Sequence, residues 1–153
     1  MSFTFKEYED QDFDDLKEMI FCLYAEDPTG EPVSDAKIRD TVREGTAHPE
    51  KVRIVMIRAD GINVGYSIIV FYWSNEYGGD VLHIDELFVK EEYRNKKAAS
   101  VFIEYVKTAF QSAAALQLET TPENAAATRL YTRLGFELSQ NNHLVLVIPA
   151  REE

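Results

Sequence analysis

Between Val52 and Lys90 the chain carries three apolar runs rich in Val, Ile, Phe and Tyr, separated by two short glycine-bearing stretches. Such side chains fit a pleated, half-buried surface, so residues 52–59, 64–74 and 81–90 read as strands. Asp60-Gly61 is a hairpin signal, with the turn ending at Gly61 or running through Asn63. Asn75 to Asp80, with Gly78-Gly79, makes the next reversal. Tight reversals force successive strands to run antiparallel. The period then changes: Ala99, Phe102, Ile103, Val106 and Phe110 recur at helical spacing over 96–114, and a short strand follows at 116–120. A strand that returns through a helix lies parallel to the one before it. The sheet is therefore mixed, mostly antiparallel with one parallel crossover.

Other elements extend this frame. Residues 3–8 alternate as a strand. Residues 12–26 form a helix with Phe13, Leu16, Met19, Ile20 and Leu23 on one stripe, Asp12 at its N-cap and Asp15 in its first turn. A Pro- and Gly-bearing loop ends it, and Ser34 caps a second helix over 35–45 that Gly45 stops. Pro122-Glu123-Asn124 opens a helix reaching Leu134, Gly135 ends it, and a last pair of strands is expected at 136–139 and 143–149. The order is β-α-α-β-β-β-α-β-α-β-β, an α/β (α+β) fold with a central twisted mixed sheet flanked by four helices. At 153 residues, 45% of them hydrophobic, one domain over 1–153 is expected.

No apolar run approaches the ~18 residues a membrane helix needs, and the N-terminus has no basic segment followed by an apolar stretch, so a cytoplasmic chain is expected. The single cysteine, Cys22, excludes an intramolecular disulfide and reads as a small buried side chain. His48, His83 and His143 lack metal-ligand spacing, so no metal is expected. The formal net charge of −11 disfavours nucleic acid as a partner. Acids dominate residues 1–35, whereas Lys90, Arg94, Lys96 and Lys97 cluster between Lys90 and Ser100. A basic cluster in an acidic chain suits a small anion.

That cluster lies between strand and helix, in Leu87-Phe88-Val89-Lys90-Glu91-Glu92-Tyr93-Arg94-Asn95-Lys96-Lys97-Ala98-Ala99-Ser100. A helix N-terminus presents unpaired N–H groups and the positive end of its dipole, which suits phosphate; a solvated basic turn is the other reading. The second notable string is Asn124-Ala125-Ala126-Ala127-Thr128-Arg129-Leu130-Tyr131-Thr132-Arg133-Leu134-Gly135-Phe136. Taken alone, Tyr131 fits a core-edge aromatic or a proton donor.

Together these strings resemble the GNAT acetyltransferase superfamily. Asn124, Ala127, Leu130, Tyr131, Gly135 and Phe136 match its closing motif, N-x-x-A-x-x-L-Y-x-x-x-G-F, and Tyr93-Arg94 matches the start of its R-x-x-G-x-G/A diphosphate loop. Val64-Gly65-Tyr66 resembles the family's third strand, and Lys97 stands where the loop glycine is usual. The resemblance implies acetyl-CoA as co-substrate. Leu87, Phe88 and Val89 would pair with its pantetheine arm like an added strand. Backbone N–H groups of Asn95, Lys96, Lys97, Ala98, Ala99 and Ser100 would hold its diphosphate with Arg94. Asn124 and Ala127 would lie by the pantetheine, and Tyr131 would protonate the departing thiolate.

The same resemblance places the base that accepts the amine's proton on the 81–90 strand. Strict alternation puts His83, Asp85 and Leu87 on one face and Ile84, Glu86 and Phe88 on the other. Asp85, His83 and Glu86 are the candidates, Glu86 if a bulge shifts the register. Tyr24, Glu26 and Asp27 are candidate contacts to a cationic acceptor, so the expected activity is acetylation of a small cationic amine by direct attack through a tetrahedral intermediate. The alternatives are a weak or inactive acyl-CoA-binding module, with Lys97 as its motive, and an N-acetyltransferase for peptides or proteins. A homodimer is possible through the 64–73 strand or the C-terminal strands.

Overall fold

The computed structural model describes residues 1–28 and 30–149. The chain forms two compact units, residues 1–119 and the residues from Thr120 onward. In the first, strand β1 (Thr4–Glu7) leads through a 3₁₀ turn (Asp10–Asp12) into helices α1 (Phe13–Glu26) and α2 (Asp35–Ala47). Strands β2 (Val52–Ala59), β3 (Ile62–Ser74) and β4 (Gly79–Val89) follow, then a 3₁₀ turn (Glu91–Tyr93), helix α3 (Ala98–Ala109) and strand β5 (Ala115–Leu118). The five strands lie in the order β1-β2-β3-β4-β5. The first four are antiparallel and β5 runs parallel to β4. The mixed sheet with one crossover is thus the one expected from the change of period.

Local chemistry explains most boundaries. Ala59 pairs with Ile62, so the β2–β3 turn is Asp60-Gly61 alone, with φ of 52° and 76°. Positive φ at both central residues is what a tight hairpin requires. The Ser34 hydroxyl accepts the Lys37 N–H at 3.2 Å, capping α2. Gly45 does not stop that helix, which continues to Ala47 and closes when the His48 N–H donates to the Glu44 carbonyl at 2.8 Å. A glycine ends a helix by turning left-handed, and Gly45 does not.

Asp12 occupies the N-cap position of α1 without capping it. Its buried carboxylate instead accepts from the Lys6 ammonium at 2.9 Å, the Glu9 N–H at 2.9 Å and the Asn63 amide at 3.1 Å. Burial alone would raise its pKa, but those donors outweigh it and hold Asp12 below the usual carboxylate range.

The sheet is covered on both faces. Leu16, Met19 and Ile20 of α1 and Ile38 of α2 pack on Ile54, Met56, Tyr66, Ile68 and Phe88. On the other face, Phe102 of α3 lies 5.7 Å from the Phe5 ring, and Phe110 lies 5.5 Å from Phe71. Cys22, expected to be buried, is exposed. The inward stripe of α1 runs through residues 16, 19 and 20, and Cys22 falls off it by the helical period. β3 has a strand on each side, so its apolar run fills an interior strand and offers no edge to a second subunit.

In the second unit, helix α4 (Ala125–Arg133) begins where the Asn124 side chain accepts the Ala127 N–H at 3.1 Å. Gly135, with φ of 101°, ends it as expected. The strands expected at 136–139 and 143–149 do not form. Strand propensity acts through burial of one face, and Leu138, Leu144 and Leu146 are 87%, 91% and 84% exposed, so no face is buried there.

Candidate active site

β4 is the element on which the site is built. Its pairing with β3 slips between Ile68 and Ile69: Ile68 faces Glu86 and Ile69 faces Ile84, leaving Asp85 as an extra, bulged residue. Directly paired residues share a face. Tyr66, Ile68, Val70 and Tyr72 therefore line up with Phe88, Glu86, His83 and Val81. The strict alternation expected from sequence separated His83 from Glu86. The bulge overturns it, bringing both to the side that α1 covers and leaving Asp85 exposed between them.

Glu86 is largely buried and held by two phenols. Tyr66 donates to Oε1 at 2.7 Å and Tyr24 to Oε2 at 2.8 Å. Burial raises the Glu86 pKa, the two phenols offset part of that rise, and neighbouring Asp85 adds to it. Burial and the adjoining Glu86 charge push both phenols well above the ordinary tyrosine value, so each remains a donor. Next along the face, His83 Nδ1 lies 3.0 Å from Gln117 Oε1, and His83 Nε2 lies 3.9 Å from Asp85 Oδ1. The Tyr72 hydroxyl donates to the same Gln117 oxygen at 3.1 Å.

The other end of β4 has a different character. β5 pairs with β4 only as far as Ile84↔Leu118. From Asp85 to Val89, β4 has β3 as its one strand neighbour among the described residues. Leu87, Phe88 and Val89, the expected pantetheine contacts, lie in this segment, which has no β5 partner on one edge. Its close packing on β3 depends on Gly65, where a Cβ would run into the Phe88 carbonyl oxygen.

The basic turn follows directly. Asn95 and Lys97 are left-handed, with φ of 61° and 69°. Lys97 is the N-cap residue of α3, and its side chain is exposed. The left-handed backbone explains why glycine would suit that position, and lysine adopts it with its ammonium turned to solvent. Lys96 is exposed as well, whereas Ala98 is buried and Ala99 and Ser100 are partly so. Among the described residues no acceptor meets the N–H groups of Ala98, Ala99 or Ser100; Val101 is the first to find one, the Lys97 carbonyl at 3.0 Å. Small residues and free N–H groups beside two ammonium groups fit a diphosphate.

Arg94 is engaged elsewhere. Its Nε donates to the Val89 carbonyl at 2.7 Å, and its Nη2 donates to both Glu26 oxygens at 3.0 and 2.9 Å. Its guanidinium also lies 5.3 Å from the Phe88 ring centre. Glu26, expected to face an acceptor, thus ties the end of α1 to the turn after β4. Asp27 is exposed at the C-cap of α1. Of the expected acceptor contacts, only Tyr24 meets the Glu86 group. The second unit holds Asn124, Ala127 and Tyr131. The Tyr131 ring meets Phe136 edge-on at 5.7 Å, and burial raises its phenol pKa, keeping it protonated.

Sequence reasoning missed Tyr66, Gln117 and Tyr72. Tyr66 lies in the Val64-Gly65-Tyr66 string, but its bond to Glu86 depends on a pairing twenty residues away in sequence. No local signal marks Gln117. Among the described residues, no cluster of ligating side chains suits a metal ion, and no helix is long and apolar enough to cross a membrane.

Known proteins share the family and the fold. Residues 5–136 match the model of the acetyltransferase (GNAT) family. A possible acetyltransferase from Clostridium difficile 630 is similar in structure, with a TM-score of 0.80 and 20% identity over 97% of this chain and 100% of that one. The integron cassette protein HFX_CASS3 from the mobile metagenome of Cole Harbour Salt Marsh has a TM-score of 0.78 and 26% identity over 96% of this chain and 91% of that one. AAC(6′)-Iy, solved with the bisubstrate analogue CoA-S-monomethyl-acetylneamine, has a TM-score of 0.72 and 18% identity over 99% of each chain. No curated protein matches the chain.

Proposed function

This chain belongs to the GNAT acetyltransferase family, and we propose that it moves an acetyl group from acetyl-CoA to the nitrogen of a small cationic amine. The observation that carries this reading is the course of β4, which runs past the end of β5 with one edge unpaired and opens directly into the left-handed basic turn and the start of α3. A ligand combining an extended amide-bearing arm with a diphosphate fits that sequence of features.

In this reading Leu87 to Val89 pair with the pantetheine arm, and the N–H groups from Asn95 to Ser100 hold the diphosphate. Arg94 joins them by exchanging Glu26 for a phosphate oxygen. Acetyl-CoA supplies a thioester carbonyl open to attack. Glu86 and Asp85 attract the acceptor's ammonium, and a group on the His83–Glu86 face takes its proton. A backbone N–H near Phe88 or Val89 meets the oxyanion of the tetrahedral intermediate. Tyr131, a protonated phenol at neutral pH, returns a proton to the departing thiolate while Asn124 and Ala127 adjoin the pantetheine. The carboxylates favour a small cation over a neutral acceptor, because Glu86 is largely buried and its hydrogen bonds come from neutral phenols rather than a cation.

Acetyl-CoA-dependent thiol release with an amine panel, run on the native chain and Tyr131→Phe, tests the reading. Turnover that falls about 100-fold in the variant is expected; equal rates would remove Tyr131 as the acid. Lys97 at the usual glycine position motivates the second reading, a module that binds acyl-CoA without turning it over. Tight binding with no thiol released across the panel would decide for that module.

A further inference from the structure

Resting on the transferase reading above, we propose that Gln117 and Tyr72 are positioning residues that hold His83 as its Nδ1–H tautomer, leaving Nε2 as the atom that takes the acceptor's proton. The argument is one of hydrogen-bond valence. An amide oxygen only accepts. Gln117 Oε1 stands 3.0 Å from His83 Nδ1 and 3.1 Å from the Tyr72 hydroxyl, so both neighbours donate to it. In the neutral ring a proton on Nδ1 leaves a lone pair on Nε2.

The position of Nε2 suits a proton acceptor. The bulge at Asp85 turns His83 to the same side as Glu86, and Nε2 lies 3.9 Å from Asp85 Oδ1. In the neutral ring those two atoms share no hydrogen bond. Once Nε2 is protonated, the imidazolium faces a carboxylate, so the charge created by the step is met by one already in place. Of the other two candidates, Asp85 stands beside Nε2 as its counter-charge, and Glu86 is less available, since both its oxygens already accept phenol hydrogen bonds. Its carboxylate serves as the fixed anion that draws the ammonium to the face. The step balances simply: the ammonium N–H bond breaks, an N–H bond forms on Nε2, and the neutral amine keeps the lone pair that attacks the thioester carbon. Gln117 acts through the ring it orients, and Tyr72 acts through Gln117.

The test is the two-bond ¹H–¹⁵N spectrum of the uniformly ¹⁵N-labelled full chain in mildly alkaline buffer, with His83 assigned by its loss in His83→Asn. The Nδ1–H pattern is expected for His83 in the native chain and in Gln117→Glu, which still accepts. The Nε2–H pattern, the usual preference of free imidazole, is expected in Gln117→Met. Steady-state rates with the best amine supply the functional arm. Gln117→Met should lower kcat about tenfold with KM held within about twofold, and Gln117→Glu should restore most of the loss. An Nε2–H pattern in the native chain overturns the proposal without variants. So does a His83→Asn enzyme with native kcat. Failure of the native chain to turn over any amine would overturn the transferase reading, and with it the role assigned to His83. Turnover with the wrong tautomer sinks only the roles of Gln117 and Tyr72 and leaves the transferase reading standing.

Discussion

Burying a carboxylate against two phenols carries a cost that the pH dependence of stability will show. Glu86 is raised above the ordinary carboxylate value, so the folded chain binds its proton more tightly than the unfolded chain does. Its favourable contribution is present in full below the unfolded value and is lost as pH rises through the folded one. Glu86→Gln lacks that group. The native chain should therefore lose stability relative to Glu86→Gln as pH rises from about 4 towards neutrality, as read by melting temperature across a pH series. The variant should also lose about tenfold or more in kcat/KM for a cationic amine. Asp12 has the opposite sign: held low by Lys6, Glu9 and Asn63, it stabilises above the unfolded value, and that contribution disappears as pH falls through the folded one. Lys97 supplies a second residue-scale prediction. Its left-handed backbone, φ of 69°, strains a side-chain-bearing residue by about 1 kcal/mol. Lys97→Gly relieves that strain at some entropic cost in the unfolded chain, so a gain of up to about 1 kcal/mol in urea unfolding is expected. The lysine at a usual glycine position was legible, but its left-handed backbone was not; nor was the exposure of Cys22, because its neighbours Ile20, Phe21 and Leu23 are apolar while the helix points them in different directions.

At the scale of elements, the strand–strand–strand–helix–strand course was readable because period and turn chemistry are local. The pairing slip at Asp85 was not, because register is decided between strands, and one bulge moves every side chain beyond it to the other face. That slip decides which of His83, Asp85 and Glu86 share a face. The C-terminal strands failed for a related reason: alternation in residues 143–149 shows what a strand would look like, and only a partner with a face to bury makes one. At Gly65 there is no room between β3 and β4 for a side chain. Gly65→Ala should force the Phe88 carbonyl aside and destabilise the fold by about 1–3 kcal/mol, with acetyl-CoA affinity falling alongside in calorimetry. The Arg94–Glu26 pair joins α1 to the turn after β4 through a partly exposed ion pair of modest strength. If a diphosphate must displace Glu26 from Arg94, Glu26→Gln should tighten acetyl-CoA binding by about two- to fivefold. Weaker binding would make the pair part of the bound state.

For the whole molecule, the net charge of −11 was legible at once and bears on partners rather than fold. With acids concentrated before residue 36 and the Glu86–Asp85 pair on β4, the chain should draw a cationic acceptor through its field. Raising ionic strength should then raise KM for a polycationic amine and leave a singly charged one less affected, since salt screens exposed charge over roughly 8–10 Å at physiological strength. The family and the sheet were both legible before any coordinates, the first from the Asn124–Phe136 string and the second from the changes of period. The acceptor was not, because the side chains that would select it come from α1, β3, β4 and β5 and meet only on folding. Transfer itself is tested most directly by following CoA thiol and acetylated product together, with saturating acetyl-CoA and a panel of di- and polyamines, aminoglycosides and basic peptides. One thiol released per acetylated nitrogen, for at least one small cationic amine and faster than for any peptide, is the predicted result. Acetyl-CoA bound but no thiol released above the uncatalysed rate for any acceptor would contradict it.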